Sequence, residues 1–411
     1  MDVEAITPPM PEGFDASEPN SERLAESSTG IVARLWDEIA ASGPITFARF
    51  MDVALYDPEN GYYRATERRP GRGGDFLTAP EATPLFGIAI ARQIAECWER
   101  LGSPAQFVVR EYGAGVGGFA YDILAGLSEA SPEAFAAVEY RLVDVNEVGL
   151  GEALAAMAQV GLADKVEAEL AEPGVALEPI EGVVLANEVA DALPVHRLIW
   201  RDGAPNELLI GWRNGWFAEF EGACSAEALE SVERVFASDE ITFHDGDRFE
   251  VSPAAATWFR QSADALQRGY TLTIDYGYPA VELYRAHRLE GTVRGYAGHT
   301  VTDDPFLRVG RQDLTAHVDF SALARAGEAA GLQPAGLTTQ GDFLAALGLG
   351  QQLVAMQQEP GITMEQYLAA QAAVLRLIDP AGLGRFRVLA MAKDAPIEPP
   401  LRGFKALSGL F

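Results

Sequence analysis

The sequence predicts an α/β protein built on a doubly wound, Rossmann-like sheet, and three observations carry that expectation. Strand-like stretches at 107–110, 139–145, 182–186 and 270–275, the first short, apolar and β-branched and the third continuously apolar, alternate with helical patterns, as parallel βα units do. The first run opens into a glycine-rich turn, Gly113-Ala-Gly115-Val-Gly117-Gly118, followed by a helical stretch. Polar residues close the runs: Glu111, Asp144, Asn187-Glu188 and Asp275-Tyr276. In such a sheet these ends share one crevice, where ligands bind.

Residues 1–27 are rich in Pro, Ser, Glu and Asp and are expected to be disordered. Ile31, Leu35 and Ile39 recur on one face of a helix over 30–42. Gly43-Pro44 stops it, and Thr46 is placed to cap a second helix over 47–56. A turn at 57–61 and a basic, glycine-rich loop at 64–74 lead to a Pro-Glu loop at Pro80-Glu81 and a helix over 84–101. Residues 28–104 thus read as an N-terminal helical cap with the Pro-Glu loop, and 105–393 as the sheet domain. Within it follow the glycine turn, helix 119–129, strand 139–145, helix 148–160, a short strand 166–170 and the buried strand 182–186.

An insertion at 195–250 begins with an alternating stretch, 196–222. Its Asp202-Gly203 and Asn214-Gly215 pairs predict an antiparallel meander. A helix over 253–268 and the strand 270–275 resume the sheet. Residues 279–312 form a loop-rich insertion, 319–330 a helix, 343–378 an added helical block, 386–392 a closing strand and 394–411 a C-terminal tail.

Composition narrows the functions. Hydrophobic residues make up 48% of the chain, which suits a folded core. A net charge of −29 repels a phosphate backbone, so no nucleic-acid partner is expected. Cys97 and Cys224 are too few for a disulfide framework or a zinc site, and the five histidines show no ligand spacing, so no metal is expected. No run of 18 apolar residues predicts a membrane span. The first 22 residues lack the basic start and apolar core of a signal peptide and the arginines of a presequence, and a soluble protein of the cytoplasm is expected.

Glycine lets backbone turn sharply beside a ligand, and the helix after the turn directs free N–H groups at it. By itself the turn fits a dinucleotide fingerprint, an S-adenosylmethionine site or a ligand-free loop. Asp144 is placed to hold a ribose diol, but it lies 31 residues after Gly113 where the dinucleotide pattern expects about 20. Residues 105–150 hold only Arg110 and Arg141, both in a strand, and so no phosphate clamp. S-adenosyl-L-methionine, with a sulfonium and no phosphate, is the cofactor these residues favour.

Eight collinear stretches carry a family resemblance: FMDVALYDPENGYY (50–63), GDFLTAPEATPLFG (74–87), EYGAGVGG (111–118), LANEVADALPV (185–195), EVSP (250–253), IDYGY (274–278), DLTAHVDF (313–320) and TQGDFL (339–344). With them the chain resembles the MidA-like (DUF185) family of class I S-adenosylmethionine-dependent methyltransferases. That family includes a mitochondrial complex I assembly factor that methylates a protein arginine. The resemblance implies a SAM-binding methyltransferase domain over 105–393 and a cofactor set of Glu111, Gly113, Gly115, Gly117, Asp144, Val145, Asn187 and Thr78. Ala114 departs from the family's proline, and Ala82-Thr83-Pro84 from its polar residues.

An arginine acceptor titrates far above neutral pH, so removing its proton outright there costs about 8 kcal/mol. Carboxylates that orient the cation and take the proton as the methyl arrives avoid that barrier. Glu188 and Asp191, three apart, are the catalytic candidates, and Glu81 could complete the pocket. Each has a plainer role: Asp191 as a turn cap, Glu188 as a contact to the cofactor amine, Glu81 as a helix N-terminal charge. Tyr276 could line the pocket, although an aromatic after a core strand reads more readily as packing, and His299 and His317 read more readily as structural. The implied partners are a protein substrate, a respiratory-complex subunit among the candidates, or a small-molecule acceptor, and a homodimer is allowed. Methylation of a small molecule is the alternative favoured by Ala82–Pro84 and by the insertion at 279–312. A SAM-binding assembly factor without turnover is a third reading, and an oxidoreductase a distant fourth.

Overall fold

A computed structural model of the chain describes residues 15–64, 78–171, 177–236, 241–285, 290–358 and 360–405. The basic loop expected at 64–74 lies outside the described residues from 65 on. The chain divides into two compact units, one of Thr66–Ala192, Ala254–Leu283 and His317–Phe411, the other of Met1–Ala65, Leu193–Pro253 and Tyr284–Ala316.

The first unit is a seven-stranded sheet. Its strands are β1 (Phe107–Tyr112), β2 (Val138–Asp144), β3 (Val166–Leu170), β4 (Ile180–Asn187), β5 (Leu266–Asp275), β6 (Gln333–Thr339) and β7 (Arg387–Lys393). They lie in the order β6-β7-β5-β4-β1-β2-β3. β1 to β5 pair in parallel, and β7 runs antiparallel between β5 and β6. The order reverses between β1 and β4, which places a ligand crevice beyond their carboxyl ends. β4 is apolar without alternation because both its faces are covered, and Val183 to Ala186 are all buried.

Helices α1 (Leu85–Arg100), α2 (Gly118–Ala130) and α3 (Glu147–Gln159) bury Ile90, Ile94, Ile123, Leu127 and Leu150 in the same core as Val109, Leu142 and Leu185. α1 therefore belongs with the sheet and not with the N-terminal helices beside which the sequence placed it. The helix expected over 253–268 ends at Asp264, since Leu266 already pairs with Ile180. β6 was not foreseen. Pro334 and Gly336 break its pattern, and they are tolerated because it is an edge strand with a register shift between them. The added block consists of Gln340–Ala346, Leu349–Met356 and Met364–Ile378.

In the second unit the expected meander forms as His196–Arg201, Ala204–Arg213 and Trp216–Gly222, joined by Arg248–Val251 and Ile45–Thr46 in one antiparallel sheet. Asp202, Gly203, Asn214 and Gly215 all take positive φ, the conformation such two-residue turns require. Thr46 Oγ1 accepts from Arg49 N at 3.1 Å and caps Phe47–Tyr56. Leu35, Phe50, Trp212, Phe217 and Phe306 share this unit's core. The insertion expected to be loop-rich contains a small sheet, Arg294–Ala297 with Thr300–Thr302 and Asp313–Thr315.

The expectation of disorder over 1–27 is corrected for 15–27. Asp15 N and Asn20 N donate to Trp212 O and Gly215 O, Ser17 O accepts from Trp212 Nε1, and Ser21–Glu26 is a helix capped by Asn20. A polar segment with few apolar residues is ordered here by backbone pairing with a distant hairpin.

Candidate functional site

At the end of β1 the chain turns through three left-handed glycines, Gly113, Gly115 and Gly117, at φ +70°, +54° and +78°. The N–H groups of Gly113 and Ala114 both donate to Val143 O, which ties the turn to β2. The glycines serve different ends. A Cβ on Gly113 would come within 2.7 Å of Val189 Cγ2 and one on Gly117 within 2.9 Å of Ala153 Cβ, so both are demanded by packing. A Cβ on Gly115 would meet nothing within 4 Å, which leaves its backbone open to a ligand.

Asp144, half-buried at the end of β2, accepts from Gly115 N on Oδ2 at 2.8 Å and from Asn146 N on Oδ1 at 2.9 Å. Val145 follows it, and Asn146 caps α3. An open glycine backbone beside a strand-end carboxylate fits the methionine and ribose parts of S-adenosyl-L-methionine. Glu111 lies beneath, 3% exposed, accepting from the Tyr140 hydroxyl at 2.6 Å. Burial, opposed by that hydrogen bond and reinforced by the charge of Asp144, pushes its carboxyl up to about 8.

The second half of the site is the turn after β4. Glu188 holds φ +53°, a conformation that favours glycine, and Ala190–Ala192 form a single 3-10 turn that carries Asp191. Asp275, fully buried at the end of β5, pins this turn. Its Oδ2 accepts from the N–H groups of Val189, Ala190 and Asp191 at 3.2, 3.0 and 3.2 Å, and its Oδ1 from Tyr276 N at 2.8 Å. Glu188 N donates to Ile274 O at 2.9 Å.

Glu188 Oε1 accepts from Ala79 N at 3.2 Å and Asn187 Nδ2 at 3.0 Å, so the Pro-Glu loop and the β4 turn meet. Glu81 Oε2 accepts from both the N–H and the hydroxyl of Thr78, at 3.1 and 3.0 Å.

Charge is crowded here. Burial first, and then Asp191, raises Glu188 to about 7. Burial raises Asp191 to about 6 against a lowering hydrogen bond from the Tyr276 side chain. Asp275 is driven up by burial and by the charges of Asp191 and Glu188, while backbone donors favour its ionised form. Among the described residues, Asp191 Oδ1 and Asn187 Oδ1 are buried acceptors without a partner. A buried acceptor on one of two neighbouring carboxyls that burial raises toward neutrality suits a cationic donor that gives up a proton.

The structure thus brings Glu188, Asp191 and Asn187 together, with Glu81 close enough for its charge to be felt at Glu188. The plainer role of Glu81 is also present, since its carboxylate closes on the Thr78 N–H as in a helix-capping pair. Thr78 turns both its donors to Glu81. Asp275 caps the turn with three N–H groups, and Asp191 also plays its plainer part, its carboxyl accepting from the backbone N–H of Ala192. Tyr276 packs against Phe386 at 5.3 Å and His317 at 5.6 Å, and it also hydrogen-bonds Asp191, so both of the roles open to it in the sequence are present. The signal for Asp275 was an acidic residue ending the strand beside β4. Among the described residues no group of three His, Cys, Asp or Glu could hold a metal ion, and no helix is long and apolar enough to cross a membrane.

The family profile for S-adenosyl-L-methionine-dependent methyltransferases matches residues 89–338. The chain is 29% identical over 410 residues to the protein named protein arginine methyltransferase NDUFAF7 homolog, mitochondrial, of Drosophila melanogaster, covering 91% of this chain and 87% of the fly protein. It is 28% identical over 369 residues to the human protein arginine methyltransferase NDUFAF7, mitochondrial, covering 82% and 78%. A COG1565 superfamily member from Burkholderia thailandensis, crystallised bound to S-adenosyl-homocysteine, superposes with a TM-score of 0.81 at 34% identity, over 95% of this chain and 97% of that one. The expectation of a cytoplasmic protein is corrected by these relatives, whose names place them in mitochondria. It rested only on features the N-terminal residues lack, and a missing feature carries no address.

Proposed function

This chain belongs to the family of S-adenosyl-L-methionine-dependent methyltransferases, and from that premise we propose that it N-methylates a protein arginine held by the acidic turn at Glu188 and Asp191. The observation that carries the reading is the buried, unpartnered Asp191 Oδ1 beside Glu188. A guanidinium offers five N–H donors in a planar fork and suits paired carboxyls better than a lysine ammonium does. The names of the fly and human relatives support the same acceptor.

The open backbone at Gly115, with Gly113 and Gly117 shaping the turn, receives the amino-acid part of the cofactor, and Asp144 receives its ribose diol. Glu111 supports the turn from beneath, and Val145, Asn187 and Thr78 border the same crevice. S-adenosyl-L-methionine, when bound, supplies an activated methyl on a sulfonium. Asp191 pairs with the incoming cation through Oδ1 and orients it. Glu188, raised to about 7 mainly by burial, takes the proton from the nitrogen that gains the methyl. Glu81 adds negative charge behind Glu188. Holding the two reactants in line contributes about 7–11 kcal/mol of barrier lowering.

The test is tritiated methyl transfer from the cofactor to arginine-containing proteins, followed by acid hydrolysis. Label in methylarginine is the expected result. Label confined to small molecules, or no transfer despite calorimetric cofactor binding, overturns the reading.

A further inference from the structure

We propose that Asp275 and Tyr276, at the end of β5, are positioning residues that hold the acidic turn in register with the acceptor cation. The proposal rests on the reading of Glu188 and Asp191 given above. Asp275 gathers three consecutive N–H groups, from Val189, Ala190 and Asp191, onto one oxygen, which fixes the backbone on which both carboxyls stand. Its other oxygen accepts from Tyr276 N, so the pin and the next residue move as one. The Tyr276 ring is wedged against Phe386 and His317, and its side chain reaches the Asp191 carboxylate. Neighbouring backbone therefore sets where Asp191 stands, and a locked aromatic sets which way it faces.

Such a grip is needed because Glu188 sits at φ +53°. A glutamate leaves that region unless its surroundings over-determine it. Glu188 N bonded to Ile274 O on one side, and the Asp275 pin on the other, supply that constraint. Among the described residues, the ionisable groups around Asp191 are Glu188 on its own turn, Asp275 and Tyr276 at the end of β5, and Glu81 behind Glu188, with His317 against the Tyr276 ring. Tyr276 opposes the rest by donating to Asp191, which favours its ionised form.

The test uses two defined probes on the full chain. S-adenosylhomocysteine has nothing at the methyl position, whereas sinefungin carries an amine there that stays protonated between pH 5 and 8. The ratio of their dissociation constants by calorimetry reads the ionised carboxyls beside that position. In the wild type, sinefungin is favoured at pH 8, and the preference fades as Asp191 and Glu188 take up protons. In Tyr276→Phe the S-adenosylhomocysteine affinity stays within about twofold, and the pH at which half the preference is lost moves up by about one unit. In Asp275→Asn the preference drops about tenfold at pH 8. Should that variant not fold, Tyr276→Phe decides alone. An unmoved midpoint in Tyr276→Phe, with the wild-type preference intact, overturns the positioning role. Absence of any preference in the wild type overturns the acceptor reading instead.

Discussion

Replacing Glu111 by glutamine should stabilise the protein, increasingly so as pH rises. The carboxyl is buried, accepts from Tyr140, and titrates at about 8 in place of 4.5 because burial penalises its charged form. Below pH 4.5 it is protonated in both the folded and the unfolded chain and contributes no pH dependence. As pH rises, the unfolded chain ionises first, so the folded state loses stability until its own carboxyl ionises near 8. The interval between the two titrations corresponds to about 5 kcal/mol in all, at about 1.4 kcal/mol per pH unit. Glutamine keeps the shape and can still accept from the Tyr140 hydroxyl, but it does not titrate. The stability gap between Glu111→Gln and wild type should therefore widen by about 1.4 kcal/mol per pH unit from 5.5 to 7.5 and level off above 8. Urea melts followed by circular dichroism at half-unit steps measure it, with the denaturant slope unchanged. A gap that stays constant with pH, or a variant weaker than wild type at pH 8, would refute the assignment of a buried, neutral Glu111.

Three further outcomes are expected. Glu188→Gln should lower methyl transfer about 10²–10⁴-fold while leaving S-adenosylhomocysteine binding within about twofold, since it removes a proton acceptor and not a cofactor contact. Equal loss of both would assign Glu188 to the cofactor. Gly117→Ala should cost about 1–3 kcal/mol of stability, from its left-handed φ and the approach to Ala153, whereas Gly115→Ala should cost about 1 kcal/mol and weaken cofactor binding at least about tenfold. Thermal melts with and without S-adenosylhomocysteine separate the two. Asp144→Ala should weaken cofactor binding about 10–100-fold, the worth of a charged hydrogen bond to the ribose, and calorimetry would expose an Asp144 that serves only the turn.

The parts of the fold that were legible are those that local chemistry decides. β4 reads directly because a strand covered on both faces needs an unbroken apolar run, β1 because Phe107–Val109 leads into the glycine turn, and β2 because Leu142-Val143 closes on Asp144. The Asp202-Gly203 and Asn214-Gly215 turns read because few residue pairs adopt two successive left-handed conformations. β6 did not read, because its edge position excuses a proline and a glycine that would break a central strand. The order of residues 15–20 was hidden because their partners, Trp212 and Gly215, are almost two hundred residues away. At the site, Glu188 and Asp191 were visible as carboxylates on a strand-end turn. Asp275 had no visible role because its partners are backbone N–H groups more than eighty residues earlier, and amide donors leave no mark in the choice of side chains.

The backbone at Glu188 also bears on how this protein would change under laboratory evolution. Its dihedral suits glycine, and Glu188→Gly would relieve about 1 kcal/mol of local strain. A library sorted for heat resistance alone would therefore enrich chains that have discarded the residue we propose as the proton acceptor. Endurance and turnover pull this one codon in opposite directions, so any search for a hardier variant has to score both.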